Sequence, residues 1–133
     1  MRYLLDTNVF IFLNEEFEAL SDQQQQLLTD PINEFVLSTA SVWEMAIKTR
    51  LSKLSFPTGG TFESVVTAGR RRQGIALLPI RQRHVQAVAR LPKVTNHGDP
   101  FDLFIITQAL TEQLPILTTD RYFAYYPGLQ VIG

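Results

Sequence analysis

Five of the acidic side chains in this sequence fall where a fold could gather them. Asp6 ends the apolar run Tyr3-Leu4-Leu5, and Asp120 ends the run Ile116-Leu117-Thr118-Thr119. Glu44 opens an apolar-periodic stretch that follows Phe35-Val36-Leu37-Ser38, and Asp99 and Asp102 open another at Pro100. Two carboxylates about 4 Å apart repel by roughly 4 kcal/mol at an effective dielectric of 20, so a cluster of them needs a cation in its middle. The chain has no cysteine, and its two histidines, His84 and His97, lack a paired metal-binding spacing. Hard oxygen donors suit magnesium, with manganese as a substitute, and not zinc. Magnesium keeps most of its waters and is held by one or two carboxylates plus substrate phosphates. That is what phosphodiester hydrolysis requires: a metal to acidify a water and stabilise charge on the attacking and leaving oxygens, with a spare carboxylate to orient the water.

Each acid also has a purely structural reading. Ser41-Val42-Trp43-Glu44 has the form of a capping box in the first turn of a helix. Asp99-Pro100-Phe101-Asp102 combines a capping aspartate, a proline at the first helical position and an acid near the positive end of the helix dipole. Asp6-Thr7-Asn8 and Thr119-Asp120-Arg121 suit turns or caps.

The elements that must position these groups alternate. Strands are expected at Tyr3–Leu5, Phe35–Ser38, Ile75–Ile80, Ile116–Thr119 and Gln130–Ile132. Helices are expected at Val9–Leu13, Phe17–Thr29, Ser41–Leu51, Phe62–Gln73 (closed by Gly74), Arg81–Leu91 and Pro100–Gln113, with loops at Phe56–Gly60 and Pro92–Asp99. Gln23–Gln26 reads as a polar helix face. Wholly apolar strands alternating with helices predict an α/β fold, a parallel sheet with helices on both faces. In such a sheet ligands bind beyond the carboxyl ends of the strands, where the acids are expected.

A length of 133 residues predicts one domain over 1–133. With 45% hydrophobic and 19% charged residues the chain reads as globular, not disordered. Apolar runs such as Val9–Leu13 are far too short to span a bilayer, and the N-terminus does not resemble a signal peptide, so a cytoplasmic protein with no membrane association is expected. The net charge of -1 hides an asymmetry: residues 1–34 carry -6 and residues 48–93 carry +9. The basic middle suits a polyanion, although solvated helix faces would read the same.

The four acidic blocks resemble those of the PIN-domain nucleases, specifically the VapC-type toxins of bacterial toxin–antitoxin systems. Leu4-Leu5-Asp6-Thr7-Asn8 is similar to the opening strand and first acid. Ser41-Val42-Trp43-Glu44-Met45-Ala46-Ile47-Lys48 is similar to the helix of the second. His97-Gly98-Asp99-Pro100-Phe101-Asp102, followed by Ile105-Ile106-Thr107-Gln108-Ala109, is similar to the third, and Leu117-Thr118-Thr119-Asp120 to the fourth. One departure is Gly98, where the related block often carries arginine. The resemblance implies a PIN-like α/β fold, a three-layer sandwich with a central, mostly parallel five-stranded sheet flanked by helices, together with ribonuclease activity on RNA, a cognate antitoxin and homodimerisation. It implies that Asp6, Glu44, Asp102 and Asp120 form a catalytic, magnesium-binding pocket, with Asp99 a fifth and lesser acid. Thr7, Asn8 and Thr118 then support the acids or bind water. Lys48, Arg50, Arg70, Arg71, Arg72 and His97 are candidates for contacts to RNA phosphates or to an acidic antitoxin. Trp43 and Phe101 read first as core and second as base-stacking groups, and His84 reads as a surface helix residue.

Two rivals belong to other classes. A non-catalytic interaction module on the same fold would use the acids only structurally. A response-regulator-like domain would need adjacent acids after the first strand and an acid after the third; Thr7 and Leu78-Pro79-Ile80 supply neither. Walker-type nucleotide binding lacks its glycine-rich lysine motif.

Overall fold

The computed structural model describes residues 1–56 and 59–133. Within the loop expected at Phe56–Gly60, Pro57 and Thr58 lie outside the described residues. The strands β1 (Arg2–Leu5), β2 (Glu34–Ser38), β3 (Ala76–Leu78), β4 (Ile116–Leu117) and β5 (Val131–Ile132) form a sheet in the order β3-β2-β1-β4-β5. Every strand pairing in this sheet is parallel.

The register explains why the strands are apolar throughout. Leu4 lies opposite Val36 and Ile116, and Leu5 opposite Leu37 and Leu117. Because side chains alternate along a strand, the first set faces one side and the second set the other. Both are buried, so each strand is covered twice. Over the Leu5 face lie helices α1 (Thr7–Glu15), α2 (Asp22–Thr29) and α4 (Phe62–Gln73), which contribute Val9, Phe10, Leu28 and Val66. Over the Leu4 face lies α6 (Pro100–Glu112), which brings Ile105, Ile106 and Ala109 beside Phe123 and Tyr126. Helix α3 (Thr39–Arg50) serves both clusters, through Ala40 on one side and Met45 on the other. Helix α5 (Gln82–Val88) packs on α6. No helix among the described residues is long and apolar enough to cross a membrane. The chain passes from β1 outward to β2 and β3, then returns to β4 on the other side of β1. The crevice beyond Leu5 and Leu117 is therefore the topological switch point.

Several expectations are corrected. The helix predicted over Phe17–Thr29 is broken into a 3-10 turn at Phe17–Ala19 and α2, because Ser21 adopts an extended conformation and caps α2 in a capping box with Gln24. Gln24 is not on a polar face: it is 1% exposed, and its amide donates to the carbonyls of Thr118 and Ile132, each at 3.0 Å. The start of α3 is capped by Ser38, whose Oγ accepts from the Ala40 amide at 3.0 Å. Ser41 and Glu44 therefore form no capping box, and Glu44 falls in the second turn. The third strand is confined to Ala76–Leu78. His84 is fully buried, not at the surface. Its Nδ1 accepts from the Arg81 amide at 2.9 Å, which leaves Nε2 to donate to Glu112 Oε1 at 3.2 Å. Trp43, read first as core, is 49% exposed and packs edge-on against Phe101, which is half-buried.

Gly69 records how closely α4 lies against α1. A Cβ added there would stand 2.7 Å from Asn14 Oδ1. That side chain is anchored on both sides, by Nδ2 donating to the Phe10 carbonyl at 2.8 Å and by Arg72 donating to Oδ1 at 2.9 Å.

Candidate active site

Asp6 is the last residue before α1, in the extended conformation of a helix cap. Its Oδ1 accepts from the Thr7 amide at 2.8 Å and its Oδ2 from the Thr118 hydroxyl at 2.7 Å. The carboxylate is thus held from β1's own exit and from β4's exit at once. Thr118 is also 3.0 Å from the Asp120 amide, which donates to its Oγ1, so one hydroxyl ties two of the acids together. Asp120 in turn accepts from the Tyr122 amide at 2.8 Å, a local turn that aims its other oxygen inward.

Glu44 is buried, and its placement follows from the corrected start of α3. The Thr7 hydroxyl lies 2.7 Å from Glu44 Oε1 and 2.9 Å from Ser41 Oγ. A hydroxyl has one proton, so Thr7 donates to the carboxylate and accepts from Ser41. The other oxygen, Oε2, pairs with Lys48 Nζ at 3.0 Å, one turn further along α3.

Asp102 enters from the first turn of α6. Its Oδ2 lies 3.2 Å from His97 Nε2, which is also 3.7 Å from Asp120 Oδ2. His97 Nδ1 stands 2.7 Å from the Tyr126 hydroxyl. One tautomer satisfies every group: Tyr126 donates to Nδ1, and Nε2–H donates to Asp102. Ligating atoms of His97, Asp102 and Asp120 all lie within 4.8 Å of one another, a spacing that one metal ion can span.

The electrostatics show what the cluster lacks. Burial pushes the Asp102 carboxyl up to about 8, helped by the negative charges of Asp6, Asp99, Glu44 and Asp120. Burial also pushes Asp6 up to about 6; its hydrogen bonds from Thr118 and Thr7 oppose that rise, and Glu44 and Asp120 add to it. Burial, with Asp102 and Asp120 nearby, likewise raises the Tyr126 hydroxyl. Two buried acids whose carboxyls are raised, beside Glu44 and Asp120 from two further chain segments, form a site that a divalent cation would stabilise. The donor set is mainly carboxylate oxygen, which fits magnesium or manganese.

The structure therefore brings together Asp6, Glu44, Asp102 and Asp120, with Thr7 and Thr118 bonded to them and Lys48 at the rim. His97 joins the acids with a nearly buried side chain. Asp99 is exposed and caps α6, accepting from the amides of Phe101 and Asp102 at 2.9 and 3.3 Å. Asn8 is exposed on α1 and has no hydrogen bond to the acids among the described residues. Arg70, Arg71 and Arg72 are not brought to the site. They close α4 just before β3, where Arg70 Nε donates to the Ile75 carbonyl at 3.1 Å, so they lie toward the opposite edge of the sheet. Arg50 is exposed at the far end of α3. Sequence reasoning missed Ser41 as a partner of Thr7, and Tyr126 as a partner of His97. Nothing in the spacing of the aromatic run Tyr122–Tyr126 distinguishes Tyr126 from its neighbours.

Comparison with known proteins supplies a family. The profile of the PIN domain matches residues 3–129. Comparison with curated proteins gives no match. Among solved structures, VapBC2 from Rickettsia felis bound to a promoter DNA fragment is similar at 18% identity and a TM-score of 0.71, over 99% of this chain and 98% of that one. VapBC-1 from nontypeable Haemophilus influenzae is similar at 22% identity and a TM-score of 0.68, over 99% and 97%. DNA-bound VapBC from Salmonella typhimurium is similar at 16% identity and 0.67, over 99% and 97%.

Proposed function

This chain belongs to the PIN-domain family, and we propose that it is a metal-dependent endoribonuclease acting as the VapC-type toxin of a toxin–antitoxin pair. The observation that carries the reading is the convergence of Asp6, Glu44, Asp102 and Asp120 at the switch point of a parallel sheet, with Asp102 pushed up to about 8 by burial and by its fellow acids. A magnesium or manganese ion bound there would acidify a water and stabilise charge on the phosphate oxygens. Asp6, fixed through both oxygens, sets the position of the site. Asp102 and Asp120 supply the carboxylate oxygens nearest His97. Glu44, held by Thr7, orients the attacking water, and Lys48 compensates its charge. Asp99 stays outside as a cap.

Neighbours of similar fold include a toxin–antitoxin complex from Klebsiella pneumoniae and a member of the VapBC family of toxin–antitoxin systems from Mycobacterium tuberculosis, and the reading extends to this chain a cognate antitoxin, a cytoplasmic location, self-association as a homodimer and a single domain over 1–133. The test is cleavage of a mixed RNA substrate by purified protein with magnesium or manganese, against EDTA, with Asp102→Asn in parallel. Metal-dependent cutting that disappears in the variant supports the reading. Absence of cutting together with absence of metal binding by calorimetry refutes it in favour of a non-catalytic interaction module.

A further inference from the structure

Beside the acids lies a second cleft, of about 470 Å³, lined by Lys93, Val94, Thr95, Asn96, Tyr122 and Tyr125. It is continuous with the site through Tyr122. That ring stacks on His97 with centroids 5.8 Å apart and planes 20° apart, and its backbone amide holds Asp120. The Arg121 guanidinium also lies over the Tyr122 ring, at 5.1 Å. Tyr122 is therefore occupied. Tyr125 is not: it is 63% exposed, with Tyr122 tilted against it at 6.0 Å. A large aromatic ring left open to water in a cleft costs hydrophobic free energy that a stacking ligand recovers. In the same lining, Asn96 is held at a φ of +64°, a left-handed conformation that asparagine tolerates. Its amide is a paired donor and acceptor suited to the edge of a base. Lys93, with Arg121 at the tyrosine wall, supplies the positive charge that a phosphate backbone needs.

We propose that this cleft is a subsite for one unpaired nucleobase of single-stranded RNA, stacked on Tyr125 and placed beside the bond cut at the acids. The proposal rests on the nuclease reading for the identity of the polymer. A base inside a duplex has no free face to offer Tyr125, so the subsite selects single strands.

The test uses the full chain carrying Asp102→Asn, so that cleavage does not consume the probe. Fluorescence anisotropy measures binding of a labelled short oligouridylate, a duplex of the same length, and an abasic ribose-phosphate chain of equal charge. Tyr125→Ala is expected to weaken oligouridylate binding about tenfold and Tyr125→Phe by less than about twofold, with duplex and abasic binding unchanged. Lys93→Gln is expected to weaken all three probes and to flatten their salt dependence. Unchanged oligouridylate binding in Tyr125→Ala, or equal weakening of all three probes, overturns the subsite. A loss confined to binding of the antitoxin protein also overturns it and marks the cleft as a protein interface. Because binding is read without cleavage, a chain that binds single strands through Tyr125 but never cuts RNA sinks the nuclease reading and leaves the subsite standing. A chain that cuts RNA indifferently to Tyr125 does the reverse.

Discussion

Asp102→Asn should make the metal-free protein more stable at pH 8, although it removes a residue from the site. Asp102 titrates at about 8 in the fold, against an ordinary value of 3.8. The folded state therefore binds a proton that the unfolded state has lost, and stability falls as pH rises from about 4 to about 8. The full span corresponds to roughly 6 kcal/mol. The carboxyl keeps 19% of its side-chain exposure, so water screens part of this, and a penalty of about 2–3 kcal/mol at pH 8 is expected. Asparagine is neutral at every pH and nearly isosteric, so the variant escapes the penalty. For a chain of this size that is a melting temperature higher by roughly 5–15 °C at pH 8, with the two proteins converging near pH 4. Magnesium should reverse the ranking, since ligand binding stabilises the folded state in proportion to RT ln(1 + [L]/Kd) and only the unsubstituted site binds well. Thermal unfolding by circular dichroism at pH 4, 6 and 8, in EDTA and in magnesium, reads all of this. A metal-free variant less stable than the parent at pH 8, or a parent whose melting point does not fall between pH 4 and 8, refutes the picture of a pocket of mutually repelling acids.

Three further outcomes follow from contacts elsewhere. Thr118→Val removes the hydroxyl shared by Asp6 and Asp120; metal affinity should fall about tenfold or more, as for other groups that orient metal ligands, and isothermal titration checks it. Gly69→Ala forces a methyl group against the doubly anchored Asn14; it should cost about 1–3 kcal/mol in urea unfolding without changing RNA cleavage. Replacing Arg70, Arg71 and Arg72 together by alanine should leave the KM for RNA within about twofold, whereas Lys48→Ala, at the rim, should raise it several-fold, because only charges near the bound phosphates contribute.

The sheet and the four main acids were legible because both are written locally. A strand buried on both faces is an unbroken apolar run, and an acid directly after it is placed at the sheet edge by chain continuity alone. Helix starts were less legible. Ser38 and Ser41 are equally good caps by residue type, and only the end of β2 decides that Ser38 is used and Ser41 is free to bond Thr7. His84 looked like a surface residue because nothing local reveals that Arg81 and Glu112 satisfy both its nitrogens. The arginine triplet showed the converse limit: a charge run announces itself in sequence, but its distance from the acids is set by the direction of α4. Tyr125 and Tyr126 are adjacent and identical in type, yet one is buried on His97 and the other is exposed in a cleft.

The bond between Thr118 and Asp6 joins residues 112 positions apart. β4 is only two residues long and can be held only once β1 is there to pair with it. The pocket is thus among the most non-local features of the chain, and loop closure over such a span is entropically late and slow. A ribosome exposes Asp6 and Glu44 well before Asp102, Thr118 and Asp120. Until then the first two acids have no cluster to join. The acidic pocket is therefore absent from every nascent fragment that stops short of Thr118, and a growing chain carries its first two acids without the cluster they later join.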